Sequence, residues 1–271
     1  MKVNRVHLKT VDSTNTWAKR NVSSLESGAL TVITASEQTA GRGRGERTWV
    51  SRGEEDIKLT FAFTLPASQI PRAYLLSPLL SVTSRRALSA RGIAGSQIKW
   101  PNDLLFGGCR KVGGILCEME GPLGPSGDFF AALGIGLNVN SLPEALGVVR
   151  PVWPLSTLRA ELGQPLDCEG LVEALVQEFS QALPVFFEAG FAPFKGEYDS
   201  GSALLGKRVR MLHAPVGGGA GVAVQGVVEG FGDDGRLLLR GEGGRVTEYL
   251  SGEVSGIELV EGEPMVEGSA Q

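Results

Sequence analysis

Leu30-Thr31-Val32-Ile33-Thr34-Ala35 runs into Glu37-Gln38-Thr39-Ala40-Gly41-Arg42-Gly43-Arg44-Gly45, and this junction decides how the chain is read. The first run is rich in β-branched residues and predicts a strand. The second has no apolar period and places three glycines in five positions, which predicts a loop. Glycines let backbone N–H groups come close to an anion, and arginines supply forked donors for phosphate or carboxylate. Arg47 and Arg52 extend the positive bias. Spacing alone leaves two readings open: an anion-binding loop, or a solvated segment of the kind that touches RNA. The loop is not a dinucleotide fingerprint, because the third glycine is missing at the required offset and no clear helix follows.

Working outward, Val3–Val11 predicts a strand that stops at Asp12-Ser13-Thr14-Asn15, a helix-starting cluster before a short helix through Trp17-Ala18-Lys19-Arg20. Ile57–Leu65 alternates and predicts a strand. Ser77-Pro78 reads as a cap and first turn of a helix ending near Gly92. Gln97–Trp100 is a short strand, and Leu104–Phe106 with Lys111–Glu120 form a hairpin around Gly107-Gly108. Phe129–Val139 is a buried strand, small and apolar throughout. Ser156–Leu162 is a brief helix closed by Gly163, and Leu171, Leu175, Phe179, Leu183 and Phe186 mark a longer amphipathic one.

The texture changes near Ser200: of 38 glycines, 17 fall from Gly201 onward. Short β-rich runs follow at Arg208–Leu212, Val222–Val228, Leu237–Arg240, Val246–Leu250 and Val254–Val260, separated by glycine, including a Gly217-Gly218-Gly219 turn. Such regular strands predict a small barrel, and the residues after Glu261 read as a frayed tail.

The chain is 271 residues with 42% apolar and 21% charged residues, room for a large domain plus a small one. A net charge of −4 argues against a protein that coats nucleic acid. The cysteines, Cys109, Cys117 and Cys168, are odd in number and form no Cys-x-x-Cys pair, against a disulfide framework or structural zinc. Two distant histidines, His7 and His213, leave few candidates for a histidine metal site. No apolar run spans a membrane and the N-terminus lacks a signal-peptide core, so the expected compartment is the cytoplasm.

Other motifs are weaker alone. Gly201–Lys207 matches the Gly-x-x-x-x-Gly-Lys spacing, but Arg208 stands where Ser or Thr should hold magnesium, and the stretch reads as a strand entrance. Lys99-Trp100-Pro101-Asn102-Asp103 is turn chemistry at a strand end. Lys111-Val112-Gly113-Gly114-Ile115-Leu116 puts a lysine beside positions without side chains. Gly134-Ile135-Gly136-Leu137-Asn138 repeats the device in a buried strand, where glycine admits a close approach.

Taken in order, Asp12–Asn15, Gln38–Arg44, Lys99–Leu104, Lys111–Leu116 and Gly134–Asn140 resemble the motifs of the biotin protein ligases, the biotin–[acetyl-CoA-carboxylase] ligases. The match covers Asp12 to Asn140, with a weaker continuation at Gly235–Leu239 and Ser251–Ser255. The resemblance implies an α/β (α+β) catalytic domain, a mixed β-sheet flanked by helices, over residues 1–200. It implies a small Src-homology-3-like β-barrel over 201–262, ahead of a tail at 263–271. It implies that biotin and ATP, with magnesium, give biotinyl-5′-adenylate, and that a lysine of a biotin carboxyl carrier domain then takes the biotinyl group. Ser13, Thr14, Asn15, Gln38 and Gly114 would hold biotin. Gly41, Arg42, Gly43 and Arg44 would close over biotin and the adenylate phosphate. Lys111 would face the carboxylate and α-phosphate, with Arg44, Trp49, Asn102 and Asn138 on the nucleotide side. The catalytic set would be Lys111, Arg42 and Asp103, with the metal ligands left open. No DNA-binding helix-turn-helix precedes the motifs, so the expectation is an enzyme that is not also a repressor; a homodimer stays open. The same fold group includes lipoate ligases, which are the alternative; an RNA-binding module is the weaker one.

The sequence departs from the family pattern at three places. Gly45 stands where many members carry a second arginine. Glu54-Glu55-Asp56-Ile57 replaces the usual Gly-x-Asn-Leu. One extra residue separates Asp103 from Lys111.

Overall fold

The computed structural model describes residues 1–45, 47–146, 153–213, 221–257 and 266–267. The chain opens with strand β1 (Val3–Val11), helix α1 (Thr14–Arg20) and strand β2 (Leu30–Gln38). These two strands pair in parallel, Val3 opposite Leu30 and Val11 opposite Gln38. Strands β3 (Ile57–Leu65), β4 (Ser96–Lys99), β5 (Asp103–Phe106), β6 (Arg110–Leu123) and β7 (Asp128–Leu137) complete a mixed sheet in the order β1-β2-β3-β7-β6-β5-β4. All these later pairings are antiparallel.

The alternation of Ile57–Leu65 explains the two faces of the sheet. Leu59, Phe61 and Phe63 point one way, and Phe61 stacks on Phe179 with ring centroids 4.3 Å apart. That face is covered by α2 (Leu76–Ala90), by α4 (Cys168–Ala189) and by α5 (Ala192–Ser200), with the short α3 (Leu158–Leu162) between α2 and α4 in the chain. Truncating a buried ring of this kind typically costs about 3–5 kcal/mol. Lys58, Thr60 and Ala62 point the other way, toward α1 and the functional residues.

Local sequence sets most of the helix ends. Thr157 caps α3 by accepting from Ala160 N at 3.1 Å, and Gly163 closes it in the left-handed region at φ 74°. Asp167 caps α4 through Gly170 N. Two expected starts differ. A 3-10 segment, Ala67–Leu75, leads straight into α2 at Leu76, so Ser77 lies inside the helix rather than capping it. Ser13 precedes α1 but makes no side-chain cap bond.

The C-terminal strands form a second sheet: β8 (Arg208–His213), β9 (Val222–Phe231), β10 (Leu237–Arg240), β11 (Val246–Tyr249), β12 (Glu253–Ile257) and β13 (Val266–Glu267). It is antiparallel throughout, in the order β11-β10-β9-β8-β12-β13. Among the described residues the strand order is open. Even so, the sheet curls: the His213 ring meets Tyr249 edge-on at 5.1 Å although two strands lie between theirs. Val266–Glu267 pair with β12, so part of the stretch expected to fray is a strand. The Gly217–Gly219 turn, residues 258–260 and the remainder of the tail lie outside the described residues. Gly201–Lys207 leads into β8, as a strand entrance should. Two tryptophans fasten the sheets together. Trp100 Nε1 donates to Gly235 O at 3.2 Å and Trp153 Nε1 donates to Val254 O at 3.0 Å.

Candidate active site

The glycines of β6 and β7 make a floor without side chains. Gly114 pairs with Gly136, Lys58 pairs with Gly136, and Thr60 pairs with Gly134. A Cβ on Gly134 would press into the Asn15 amide, and one on Gly136 would stand 2.7 Å from Trp49 Cζ2. Glycine is required there because other groups already occupy the space.

One end of this floor is a polar nest. Ser13 does not cap α1, and the side chains of the helix's first two residues, Thr14 and Asn15, are spent here. Thr14 N and Oγ1 both donate to Gln38 Oε1, at 2.8 and 3.0 Å. Thr60 Oγ1 donates to Asn15 Oδ1 at 2.6 Å. Asn15 Nδ2 donates to Glu118 Oε2 at 3.0 Å and to the carbonyls of Leu116 and Ala132. Ser13 is left facing the cavity. Strand β2 runs to Gln38, farther than its sequence predicted, and thereby fixes that amide.

The other end is charged. Asp103 is shared by two lysines, Lys99 Nζ at 2.9 Å and Lys111 Nζ at 2.8 Å. Burial pushes the Asp103 carboxyl up, but Lys111 and Lys99 overcome it and hold it well below the usual carboxylate range. Burial also pulls the Lys99 ammonium down, against the pull of Asp103. Two cations on one anion leave net positive charge at the floor. Lys111 is held by its backbone too, which donates to Pro154 O at 2.7 Å and accepts from Ser156 N at 2.9 Å.

The glycine-arginine loop roofs the cavity. It is a tight excursion rather than open coil: Gly43 N donates to Arg47 O at 2.7 Å and Trp49 N donates to Gly41 O at 2.9 Å. Gly45, at φ 66°, supplies the left-handed residue its tip requires. Three arginines fasten it at three points, two on strands and one in the turn before β5. Arg42 pairs with Glu118 on β6, Arg44 Nη1 donates to Asn102 Oδ1 at 3.1 Å, and Arg47 pairs with Glu253 on β12. Burial raises the Glu118 carboxyl, yet bonds from Arg42, Lys19 and Asn15 hold it below its ordinary value.

Most residues predicted from sequence converge here. Ser13, Asn15, Gln38, Arg42, Gly43 and Arg44 line the cavity, as do Trp49, Asn102, Asp103, Lys111 and Gly114. Thr14 and Gly41 stand one layer back: Thr14 is buried beneath Gln38, and Gly41 braces Trp49. Asn138 is not among the residues that line the cavity. Its Nδ2 donates to Ser156 O at 3.1 Å, away from the cavity lining, while its buried Oδ1 lacks a partner. Sequence reasoning missed Lys99, Glu118 and Lys58. Lys99 had a signal, since it lies four residues before Asp103 within a motif already singled out. Among the described residues no three His, Cys, Asp or Glu side chains gather as a metal cluster. Both Asp103 oxygens already face lysines, so this donor set suits an ion carried on phosphates rather than a protein cage.

The family model described as the Biotin/lipoate A/B protein ligase family matches residues 7–140. The biotin–[acetyl-CoA-carboxylase] ligase of Paracoccus denitrificans is 35% identical, over 88% of this chain and 95% of that protein. This chain belongs to the biotin protein ligases. The Bifunctional ligase/repressor BirA of Escherichia coli (strain K12) is 30% identical, over 92% of this chain and 72% of its own length. The biotin protein ligase from Aquifex aeolicus, solved in complex with biotin and ATP, superposes with a TM-score of 0.73 at 29% identity. That match covers 93% of this chain and 97% of the other. The mixed sheet with flanking helices is the family's. No helix among the described residues is long and apolar enough to cross a membrane.

The cavity is about 100 Å³, small beside the roughly 300–1,000 Å³ of typical ligand sites. Trp49 covers the glycine floor. Its ring lies against Gly114 and Gly136, with Lys111 Nζ 5.5 Å from its centroid and its own buried Nε1 unpartnered. A ligand on the glycine floor must therefore move this ring. Titrating biotin with ATP should change tryptophan emission, and Trp49→Phe should abolish most of that change, because Trp100 and Trp153 are buried elsewhere and Trp17 packs on the apolar cluster beneath α1, outside the cavity lining. An undiminished signal in the variant would show that Trp49 stays put.

Proposed function

We propose that this biotin protein ligase joins biotin to ATP as biotinyl-5′-adenylate and then passes the biotinyl group to a lysine of a biotin carboxyl carrier domain. The observation that carries the reading is the Lys99–Asp103–Lys111 cluster at the end of a glycine floor, under an arginine roof. In the first step a carboxylate oxygen of biotin attacks the α-phosphorus of ATP, and the bond to pyrophosphate breaks. Two anions must approach each other, and Lys111, with Arg44 above it, offsets the repulsion and the charge of the transition state. In the second step the carrier lysine, as a neutral amine, attacks the acyl carbon and AMP leaves with the electrons of the broken C–O bond. Asp103, kept ionised by two lysines, is suited to orient cations and a poor proton acceptor. Ser13, Thr14, Asn15 and Gln38 hold the ring end of biotin in this reading. Asn102 and Trp49 flank the nucleotide, and Asn138 supports that wall from behind. Magnesium enters with the phosphates of ATP.

The reading extends to the molecule's organisation. In this reading residues 1–200 carry the chemistry and residues 201–262 form the family's Src-homology-3-like barrel, a reading that the His213–Tyr249 contact supports. The protein works in the cytoplasm, without DNA binding, and a homodimer is compatible with it. An RNA-binding role fits less well, because Arg42, Arg44 and Arg47 already face Glu118, Asn102 and Glu253.

Pyrophosphate–ATP exchange with purified protein tests the function, run with biotin, with lipoate and with neither. Exchange that requires biotin supports it, and exchange with lipoate instead would overturn the substrate. The roof makes its own prediction. Arg42→Ala removes the tie to Glu118 and should speed escape of preformed biotinyl-adenylate by about tenfold, the size of one lost charged contact. Escape no faster than in the unsubstituted chain would remove Arg42 from the lid.

A further inference from the structure

The segment that departs from the family pattern, Glu54–Ile57, lies where the roof loop re-enters the sheet. Its Asp56 is buried at 4% exposure. One carboxylate oxygen, Oδ2, accepts Arg52 N at 2.9 Å, at the far root of the loop. The other, Oδ1, accepts Val139 N and Ser141 Oγ, each at 2.9 Å, just beyond Asn138 on the nucleotide side. Two residues on, Lys58 is buried at 3% exposure and lines the cavity, opposite Gly136. Its Nζ donates to Ser36 O at 2.9 Å and also to Gly53 O. Asn140 N donates to Glu55 O at 2.8 Å, so the whole segment is fastened to the exit of β7.

We infer that Asp56 and Lys58 are positioning residues that tie the biotin lid to the nucleotide wall, so that ordering one side favours ligand on the other. Asp56 is the bridge, since each of its oxygens serves a different side. Lys58 is the anchor, since it holds the loop root at Gly53 to strand β2. The inference rests on the lid role proposed for the Arg42–Arg44 loop. A shared element that both ligands order couples their affinities, commonly by 5–150-fold.

The chemistry of Asp56 offers a narrow test. An amide has one acceptor oxygen and a donor in place of the other. In Asp56→Asn, the amide NH₂ must face either Arg52 N–H or Val139 N–H, donor against donor, so one half of the bridge opens while shape and volume remain. Calorimetric titrations with biotin and with α,β-methylene-ATP, each alone and then in the presence of the other, measure the coupling without turnover. In the unsubstituted chain, biotin should raise the affinity for the nucleotide analogue by about tenfold. Asp56→Asn should bring that factor to within about twofold of one, with each ligand's affinity alone little changed; Lys58→Met, at a residue that lines the cavity, should lower the coupling as well, and only its coupling factor is read. A merely structural role would lower the thermal midpoint and leave the coupling intact. Unaltered coupling in both variants, or none in the unsubstituted chain, overturns the tie. Arg42→Ala run alongside separates the two readings. If it weakens biotin while the Asp56 and Lys58 variants keep full coupling, the lid stands and the tie falls. If it alters neither biotin affinity nor coupling, both fall.

Discussion

Lys111→Ala is expected to abolish most biotinyl-adenylate formation while leaving the protein folded. The ammonium it removes stands 2.8 Å from Asp103 and lines the cavity at 21% exposure, so its loss does not open the core. A preorganised donor aimed at developing charge is worth about 2.7–4 kcal/mol, or on the order of 10²–10³ in rate. Pyrophosphate–ATP exchange with biotin should fall by that factor, with the thermal midpoint close to the parent's. Exchange at a near-normal rate would show that the carboxylate and α-phosphate meet elsewhere. Lys99 does not substitute for Lys111, because it is buried at the back of Asp103 and faces the Trp153 ring at 5.1 Å.

Asp103→Ala is expected to cost both stability and activity. The carboxylate and Lys99 are nearly enclosed, with side-chain exposures of 9% and 4%. Removing one partner leaves a buried cation without its counter-charge, a change that typically costs about 3–5 kcal/mol. Replacing the pair together, Lys99→Met with Asp103→Leu, should recover much of that stability but not the exchange activity, since Lys111 would still lack its orienting carboxylate. Full activity in the double variant would overturn the orienting role. The pH dependence has a fixed sign. Because the folded state depresses the Asp103 pKa, its contribution is complete above the unfolded value near 3.9 and is lost as pH falls through the folded value. Urea midpoints measured from neutral pH downward should therefore drop more steeply below about pH 4 in the parent than in Asp103→Ala.

The parts of the fold that follow from short-range patterns were legible before any coordinates. Ile57–Leu65 alternates because one face meets Phe179 and the other meets Thr14 and Asn15, and its ends fall where the alternation does. Leu237–Arg240 is bounded by its glycines and charges in the same way. Helix α5 was not legible: Pro193 sits in its first turn, Gly196 lies inside it, and only Phe194 and Tyr198 turn inward. The site divides along the same line. The motif residues announced themselves by type, but their partners did not. Glu118 meets Arg42 across 76 residues and Lys19 across 99, and nothing near Glu118 in the chain marks it. Asn138 lies one residue past the floor strand, a position legible in the sequence, whereas the direction its amide takes is decided by Ser156, from another segment.

The pairing of Arg47 with Glu253 joins residues 206 positions apart. Ribosomal synthesis delivers the roof arginines long before β12, so a nascent chain holds every group for the chemistry yet cannot fasten the third corner of its roof. The last strands thus reach the roof of the site through this ion pair, beside the Trp153 bond that joins the two sheets. Contacts this distant in sequence also form late and slowly. A chain interrupted before β12 would lack this corner of the roof and the Trp153 bond to Val254 O together.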